Sequence, residues 1–282
     1  MNAFASYWLI ATLAVGWGSV AIIVRLVEAP SAVAAFYRVL FAALALVSGL
    51  LASGRRQEVL STARRPAALA MGVALALHWL CFFSALRTTS VASAVLTTTS
   101  TPIVLAVLAP LLLRERPSAT ALAATALGLS GVAIMVGIAD PGEVRPMGVA
   151  LGLAAALLGA LIPITGKALG RQRNVATITA VQTTVASIVL LPVAITSGPF
   201  VNGRDLGLLA LLGVVHTALA FTLYYQALRQ LPVQVAGVLG LLEPVSAALL
   251  AWLLLGEGIS LATAVGGALI LTGTALVRPK GA

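Results

Sequence analysis

The stretch LGLLEPVSAALLAWLLLGEGISLATAVGGALILTGTALV, residues 239–277, repeats the pattern of TTTSTPIVLAVLAPLLLRERPSATALAATALGLSGVAIM, residues 97–135. Three pairs of like residues stand 142 positions apart in these stretches: Pro102 and Pro244, Glu115 and Glu257, and Gly131 and Gly273. Each copy predicts a hydrophobic helix with a proline, a tight turn with a glutamate, and a second hydrophobic helix with glycines. A constant offset over this length indicates an internal duplication, around which the rest of the chain is arranged.

The composition of the chain indicates that most of it is dissolved in lipid. Of the 282 residues, 60% are hydrophobic and 9% are charged, whereas a soluble domain carries about 25% charged residues. The net charge of +9 would suggest a nucleic acid partner in a soluble protein, but in a membrane protein basic loops set the orientation. We therefore expect the lipid bilayer and a small molecule as partners, and no nucleic acid. The single Cys81 excludes an intrachain disulfide.

Ten apolar runs are long enough to cross a bilayer, which needs about 17–25 residues. They cover residues 3–25, 31–53, 66–86, 90–113, 118–138, 146–169, 174–196, 205–229, 233–255 and 260–277. The connectors between them are short and hold most of the turn-forming residues. The first run lacks a basic region before it and is predicted to be a retained helix rather than a cleaved signal. The expected fold class is an all-α membrane protein with ten transmembrane helices.

The distribution of Lys and Arg between alternate connectors predicts the orientation. Twelve fall on one side, here called the basic face: Arg55, Arg56, Arg64, Arg65, Arg114, Arg116, Lys167, Arg171, Arg173, Arg229, Arg278 and Lys280. Four fall on the opposite face: Arg25, Arg87, Arg145 and Arg204. We expect the basic face and both termini to be cytoplasmic, in a multi-pass protein of the bacterial inner (plasma) membrane. Arg25 and Lys167, which are 142 positions apart, are expected to anchor helix ends at the lipid headgroups.

A duplicated unit of five helices crosses the membrane an odd number of times. The second copy must therefore enter the membrane upside down relative to the first. We predict two inverted five-helix repeats, residues 1–140 and 141–282. Inverted repeats are a transporter architecture, in which the substrate site lies near the bilayer midplane between the repeats.

Four ionisable side chains lie inside the predicted helices: Arg38, His78, His216 and Glu243. A charge there costs about 2.5–3.5 kcal/mol on insertion scales, so each should face protein or water. Glu243 lies about 15 Å into its helix and precedes Pro244, which leaves a backbone carbonyl free one turn earlier. Its carboxylate suits a proton-titrating group or a partner for a substrate ammonium. The alternatives are a buried acid paired with Arg38, or a protonated acid.

Arg38 lies about two turns into the second predicted helix. Its planar guanidinium suits a substrate carboxylate, and the alternatives are contact with the membrane interface or with an acid. His78 and Phe82 share a helix face at a spacing of four residues. This pair suits an aromatic or apolar substrate side chain, and equally a hydrogen-bonded core histidine. His216 is the rough counterpart of His78 in the second half.

Aromatic residues and prolines inside the helices complete the predicted site. Trp17, Tyr37 and Tyr224 lie deeper than the interfacial belt that Trp and Tyr usually form. The glycines at 16 and 18 leave room beside Trp17 for a helix or a ligand. The predicted substrate-binding residues are Trp17, Tyr37, Arg38, His78, Phe82, Tyr224 and Glu243, and the candidate bending points are Pro102, Pro163 and Pro244.

The sequence shows no pattern for catalysis or for a bound cofactor. It lacks a GxxxxGK[ST] phosphate loop and a His, Cys and carboxylate cluster with metal-ligand spacing. It also lacks a nucleophile beside a base in a known motif. We therefore expect neither an enzyme nor a metal or other cofactor, and transport driven by a gradient rather than by ATP.

Several short motifs are spread over nearly the whole chain. They are Trp17-Gly18-Ser19, Phe36-Tyr37-Arg38, Leu242-Glu243-Pro244 continuing to Gly256-Glu257 and Gly273, and the repeat of this last pattern from Pro102 to Glu115. In these motifs the chain resembles the EamA family of the drug/metabolite transporter superfamily. The resemblance implies ten helices, inverted five-helix repeats and export of small metabolites. Within the family, the chain is most similar to the bacterial aromatic amino acid exporters. The sixth helix has Gly159-Ala160 where the first has Trp17-Gly18, so Trp17 has no symmetric partner.

We therefore expect a secondary transporter that exports amino acids, including aromatic ones, through a cavity between the repeats. Arg38 or a helix end would bind the carboxylate, Glu243 would bind the ammonium or a coupling proton, and the remaining residues would shape the side-chain pocket. Export of cationic drugs or other small metabolites is the alternative. A membrane scaffold would need a large soluble segment and a membrane-embedded enzyme would need a catalytic constellation, and the sequence indicates neither.

Overall fold

The computed structural model describes residues 1–137, 144–198 and 201–279, and the regular secondary structure in these ranges is entirely helical. Nine helical spans in them are long and apolar enough to cross a membrane, and a tenth apolar helix, Leu261–Leu276, is shorter. Each of the ten predicted runs coincides with one of these elements, which confirms the predicted fold class. The predicted boundary between the repeats, at residues 140 and 141, lies outside the described residues.

The helices follow one another along the chain with short connectors. The first half contains α1 (Ala3–Leu26), α2 (Ser31–Ala52), α3 (Arg56–Ala63), α4 (Pro66–Thr88), α5 (Val91–Thr98), α6 (Thr101–Leu112) and α7 (Ala119–Gly137). The second half contains α8 (Pro146–Gly170), α9 (Val175–Thr196), α10 (Gly203–Gly213), a π-helical segment (Val214–Leu219), α11 (Ala220–Leu228), α12 (Val233–Gly240), α13 (Leu242–Leu255) and α14 (Leu261–Leu276). We did not predict α3, a polar helix of eight residues in a connector.

The fourth and ninth spans, predicted as continuous helices, are each broken near the middle. The fourth consists of α5 and α6, and the ninth of α12 and α13. The bounds of α5 and α12 lie 142 residues apart at both ends, so the break recurs at the same place in the duplication. A proline follows each break, Pro102 or Pro244, and its ring removes the N–H that a continuous helix would donate.

The predicted tight turn with a glutamate has the same geometry in both halves. Arg114 and Gly256 adopt left-handed φ angles of 60° and 69°. The N–H of the glutamate that follows donates to the carbonyl six residues earlier, that of Ala109 or Ala251, at 3.2 and 3.3 Å. Both helices thus end at a left-handed residue and are closed by the same backbone hydrogen bond, and a left-handed residue is a common end of an α-helix. Glycine adopts the left-handed conformation freely, whereas an arginine there is strained.

The two halves interlock. α1 packs against α13, and α8, its counterpart, packs against α5 and α6. α2 packs against α9, and α7 packs against α14. A side chain at Gly131 or Gly266 would collide with the backbone oxygen of the other glycine, which confirms the close contact of α7 with α14 that small residues allow. The main buried cluster therefore draws side chains from both halves.

Candidate functional site

The π-helical segment of the eighth span, Val214–Leu219, organises the candidate site. Gly213 precedes it and packs against α2, since a Cβ at Gly213 would lie 2.6 Å from the backbone oxygen of Arg38. The backbone oxygen of His216 accepts hydrogen bonds from Nε1 of Trp17 at 3.0 Å and from Nη2 of Arg38 at 3.4 Å. π-helical turns occur frequently at functional sites. This one joins the first, second and eighth spans through a single carbonyl.

Arg38 is held by two neighbouring spans. Its Nε donates to Oγ1 of Thr217 at 2.7 Å, and the Thr217 hydroxyl itself donates to the backbone oxygen of Leu212 at 3.0 Å. The guanidinium carbon lies 5.0 Å from the centre of the Trp79 ring, which is a cation–π distance. Arginine has five N–H donors, and among the described residues these bonds use only Nε and Nη2. The remaining donors can bind a carboxylate.

Glu243 lies in the first turn of α13, directly after the break in the ninth span. Its side chain is exposed, although its depth of about 15 Å places it near the membrane midplane. Its carboxylate interacts electrostatically with Arg38, but within the described part of the chain the ion pairs do not include a direct contact between the two. An exposed ionisable group at this depth is expected to face protein or water rather than lipid.

The break beside Glu243 differs in chemistry from its counterpart in the first half. Thr101 holds the equivalent position there, and its hydroxyl donates to the carbonyl of Thr98 at 3.0 Å. The hydroxyls of Thr99 and Ser100 bind other carbonyls of the same turn at 2.8 and 2.6 Å. Residues 241–243 carry no hydroxyl, so the hydroxyl donors of the first break have no counterpart at the equivalent positions of the second.

Aromatic rings line one side of the Arg38 cluster. The ring of Trp17 lies 5.9 Å from that of Phe221 and 5.6 Å from that of Tyr224, both edge to face. Trp17 and Tyr224 are half-buried. A side chain at Gly18 would collide with Ser246 of α13, whereas Gly16 has open space around it. Gly18 therefore allows the contact of α1 with α13 that brings Trp17 close to the ninth span.

The ring of His216 is held by Ser19 of the first span. The hydroxyl of Ser19 donates to the backbone oxygen of Gly16 at 2.7 Å, so the same oxygen accepts from Nε2 of His216 at 2.9 Å. This pattern assigns the ring hydrogen to Nε2. Nδ1 is buried and makes no hydrogen bond of normal geometry in the described residues, and the backbone of Leu211 lies close to the ring.

His78 faces away from the Arg38 cluster. Its Nδ1 donates to the backbone oxygen of Ala155 in α8 at 2.7 Å, and a Cβ at Gly159 would lie 3.1 Å from the same nitrogen. This is the hydrogen-bonded alternative that the sequence left open. The next residue, Trp79, contacts Arg38 instead. The structure therefore brings together Trp17, Arg38, Tyr224 and Glu243, and it places His78 beside α8.

The other predicted residues have contacts elsewhere. The ring of Tyr37 lies 5.2 Å from Phe36 and 6.1 Å from Phe41, and the ring of Phe82 lies 5.7 Å from Phe83. Of the candidate bending points, Pro102 and Pro244 lie beside the two breaks, and Pro163 is buried inside the continuous helix α8.

Two ion pairs related by the duplication lie at opposite faces. Lys167 binds Glu115 at 2.5 Å, with the two side chains 6% and 15% exposed. Arg25 binds Glu257, with the two side chains 58% and 49% exposed. Both cations were expected to anchor at headgroups. For the buried Lys167 this expectation was wrong, whereas for the exposed Arg25 it stays a prediction. In both pairs the glutamate after the left-handed turn faces the cation at the end of a helix in the other half.

The sequence did not indicate Thr217 or Trp79 as partners of Arg38, nor the π-helical segment. One signal was present: His78 and His216 are 138 positions apart, whereas the flanking motifs are 142 apart. The two histidines are therefore four residues out of register with the duplication, and the eighth span is the one that contains the π-helical segment.

The EamA-like transporter family matches the chain twice, over residues 4–137 and 146–278. An uncharacterized transporter of Archaeoglobus fulgidus is 30% identical over 261 residues, which cover 92% of this chain and 91% of the relative. The uncharacterized transporters YwfM and YxxF of Bacillus subtilis are each 26% identical, over 75% and 94% of this chain and 73% and 87% of theirs. These three descriptions name no substrate.

One crystal structure has the same fold. It superposes with a TM-score of 0.82 and 21% sequence identity, and the match covers 97% of this chain and 95% of the other.

Proposed function

The chain belongs to the EamA-like transporter family, and on that premise we propose that it exports amino acids, including aromatic ones, by alternating access. The proposal includes two inverted five-helix repeats, residues 1–140 and 141–282, in a bacterial inner membrane with both termini cytoplasmic. The recurrence of the broken spans at an offset of 142 residues supports the repeats. An excess of Lys and Arg on the basic face supports the orientation.

The relationship of Arg38 to Glu243 is the observation that carries the substrate class. The two groups interact electrostatically yet remain without a direct ion pair among the described residues. A free α-amino acid carries one carboxylate and one ammonium on adjacent atoms. The spare N–H groups of Arg38 match the carboxylate, and the exposed carboxylate of Glu243 matches the ammonium.

The side chain of the substrate is assigned to the aromatic wall. The ring of Trp17 lies within 6 Å of the rings of Phe221 and Tyr224, and an aromatic ring packs against such surfaces in offset or edge-to-face geometry. His78, Tyr37 and Phe82 have a supporting role in the proposal. Among the described residues their side chains contact neighbouring helices and rings rather than the Arg38 cluster, so their part is to hold α2 and α4 in place.

The two ion pairs at opposite faces support a mechanism for alternating access. We assign closure of the cavity at the basic face to Glu115 with Lys167, and closure at the opposite face to Glu257 with Arg25. Each pair would break when its face opens, and the broken spans at Pro102 and Pro244 would bend together with α8 at Pro163. The greater burial of the first pair supports a state in which the basic face is the more tightly closed.

Counterflow in proteoliposomes tests the substrate class. Liposomes loaded with unlabelled phenylalanine should take up labelled phenylalanine, and Arg38→Gln and Glu243→Gln should each reduce the rate at least about tenfold, because each removes a charged contact. Competition by phenethylamine and by 3-phenylpropionate separates the two charges, since each analogue lacks one of them. The proposal requires that neither analogue compete as well as phenylalanine.

Export of cationic drugs is the second candidate, and the exposed carboxylate of Glu243 beside Trp17 and Tyr224 favours it. In that case phenethylamine would compete at least as well as phenylalanine. Arg38→Gln would then leave uptake of the cation unchanged or faster, because a positive charge is removed from the cavity. Loss of phenylalanine counterflow in Arg38→Gln together with loss in Glu243→Gln would reject this candidate.

A further inference from the structure

An open cavity of about 680 Å³ lies at the basic face, between the connector from α8 to α9 and the end of α11. Its polar lining consists of Arg171, Gln172, Arg173, Asn174, Gln226 and Arg229. Three of these side chains are guanidiniums and three are carboxamides, and there is no carboxylate among the lining residues. The cavity therefore combines three positive charges with many hydrogen-bond donors.

The arginines are positioned by contacts that leave donors free. Nη1 of Arg173 donates to Oγ of Ser61 at 2.7 Å, and Nη2 of Arg229 donates to the backbone oxygen of Arg173 at 2.8 Å. Nη2 of Arg171 lies 3.3 Å from the carboxylate of Glu115, which also binds a buried lysine. Of the three guanidiniums, Arg171 is the one with a carboxylate partner among the described residues, and that carboxylate is already paired with Lys167.

The beginning of α9 adds uncharged donors to the same cavity. Oδ1 of Asn174 caps the helix by accepting from the N–H of Ala176 at 2.9 Å. The N–H of Val175, the first residue of the helix and part of the lining, has no acceptor within the described residues. The N-terminus of a helix favours an anion because its N–H groups and its dipole both point toward one.

The duplication shows that the arginines are not required by the fold. The equivalent connector in the first half, between α1 and α2, has the same length of four residues. It reads Val27-Glu28-Ala29-Pro30, whereas the second reads Arg171-Gln172-Arg173-Asn174. The first connector lies on the opposite face, where few basic residues are expected. Orientation therefore accounts for the sign of the charge, and the feature that remains to be explained is that three arginines line one cavity.

We propose that this cavity binds a phosphate-bearing anion through the guanidiniums of Arg171, Arg173 and Arg229 and the first N–H groups of α9. Guanidinium groups bind phosphate oxygens in pairs. Basic cavities at the cytoplasmic ends of transmembrane helices suit the headgroups of anionic lipids. The same chemistry accepts a free phosphate, and the experiment separates the two sources.

Thermal unfolding of the purified full-length protein in neutral detergent tests the site. Titration with short-chain phosphatidylglycerol should raise the unfolding temperature in a saturable manner, whereas phosphatidylcholine should not. The double variant Arg171→Gln with Arg229→Gln should bind at least about tenfold more weakly, since two charge-assisted contacts are lost. If this variant does not fold, Arg229→Gln alone is used with the same expectation.

The matched control is Arg55→Gln with Arg116→Gln, which removes two exposed charges from outside the cavity. Its affinity should stay within about twofold of the wild type if the site is specific. Saturable stabilisation by inorganic phosphate, lost in the cavity variant alone, would assign a soluble phosphate as the source. The proposal would be overturned if neither phosphatidylglycerol nor inorganic phosphate bound saturably, or if the control variant weakened binding as much as the cavity variant.

Discussion

Nε of Arg38 donates to Oγ1 of Thr217 at 2.7 Å, across the contact between α2 and the π-helical segment. The hydroxyl of Thr217 is itself fixed by its bond to the backbone oxygen of Leu212. The position of the guanidinium therefore depends on a neutral side chain in another span. Substrate binding by Arg38 should depend on that side chain as well.

Thr217→Val is expected to weaken substrate binding at least about tenfold, because it removes the acceptor of a charge-assisted bond while keeping the volume of the side chain. The KM of counterflow should rise more than its maximal rate falls. Thr217→Ser retains the hydroxyl and is the matched control, with a KM close to that of the wild type. A normal KM in Thr217→Val would show that Arg38 is held without this bond.

Glu115→Gln should destabilise the protein by about 3–5 kcal/mol, because it leaves the buried Lys167 without a counter-charge. The equivalent change Glu257→Gln should cost no more than about 1 kcal/mol, since its pair with Arg25 is exposed. Thermal unfolding in detergent measures both. Equal losses in the two variants would contradict the difference in burial on which the assignment of the more tightly closed face rests.

Gly213→Ala should disturb the contact between α2 and the eighth span. The new Cβ would lie 2.6 Å from the backbone oxygen of Arg38 and from Cβ of Phe41, and overpacking of this kind costs about 1–3 kcal/mol. Gly49→Ala in α2 is the control, because its surroundings are open, and it should be neutral or slightly stabilising. Unfolding temperatures that fall equally in both variants would argue against a specific contact at Gly213.

Arg114→Gly should stabilise the turn before Glu115, because Arg114 has a φ of 60° and glycine removes the strain of that conformation. The strain of about 1–2 kcal/mol exceeds the entropy cost of about 0.5–1 kcal/mol for glycine. Arg114→Ala removes the same charge but keeps a Cβ, so it should not stabilise. The comparison of these two unfolding temperatures separates backbone strain from charge. An unfolding temperature of Arg114→Gly below that of the wild type would show that the left-handed φ of Arg114 carries no such strain.

The sequence was sufficient to predict the elements that depend on local hydrophobicity and on the duplication. The ten runs, the offset of 142 residues and the tight turns before Glu115 and Glu257 all recur in the structure. These features can be read from the chain because lipid permits few alternatives to a transmembrane helix. The repetition of a proline and a turn at a constant offset then supports the assignment of the same helices in both halves.

The arrangement of the site depends on packing between spans, which the sequence does not encode locally. Apart from the irregular offset of His216, the sequence gives no indication of a π-helical turn, and nothing around Arg38 indicates Thr217 as its partner. His78 and Trp79 are adjacent in sequence but face different helices. Helices that are apolar on all sides give no periodic signal of which face is buried, so the choice between a core histidine and a ligand required the fold.

The central claim is that Arg38 and Glu243 receive the two charges of a free amino acid. Direct calorimetric binding of phenylalanine, phenethylamine and 3-phenylpropionate to the wild type, Arg38→Gln and Glu243→Gln tests it most directly. We predict that the wild type binds phenylalanine most tightly, that Arg38→Gln loses its preference for phenylalanine over phenethylamine, and that Glu243→Gln loses its preference over 3-phenylpropionate. The same order of affinities in all three proteins would contradict the claim.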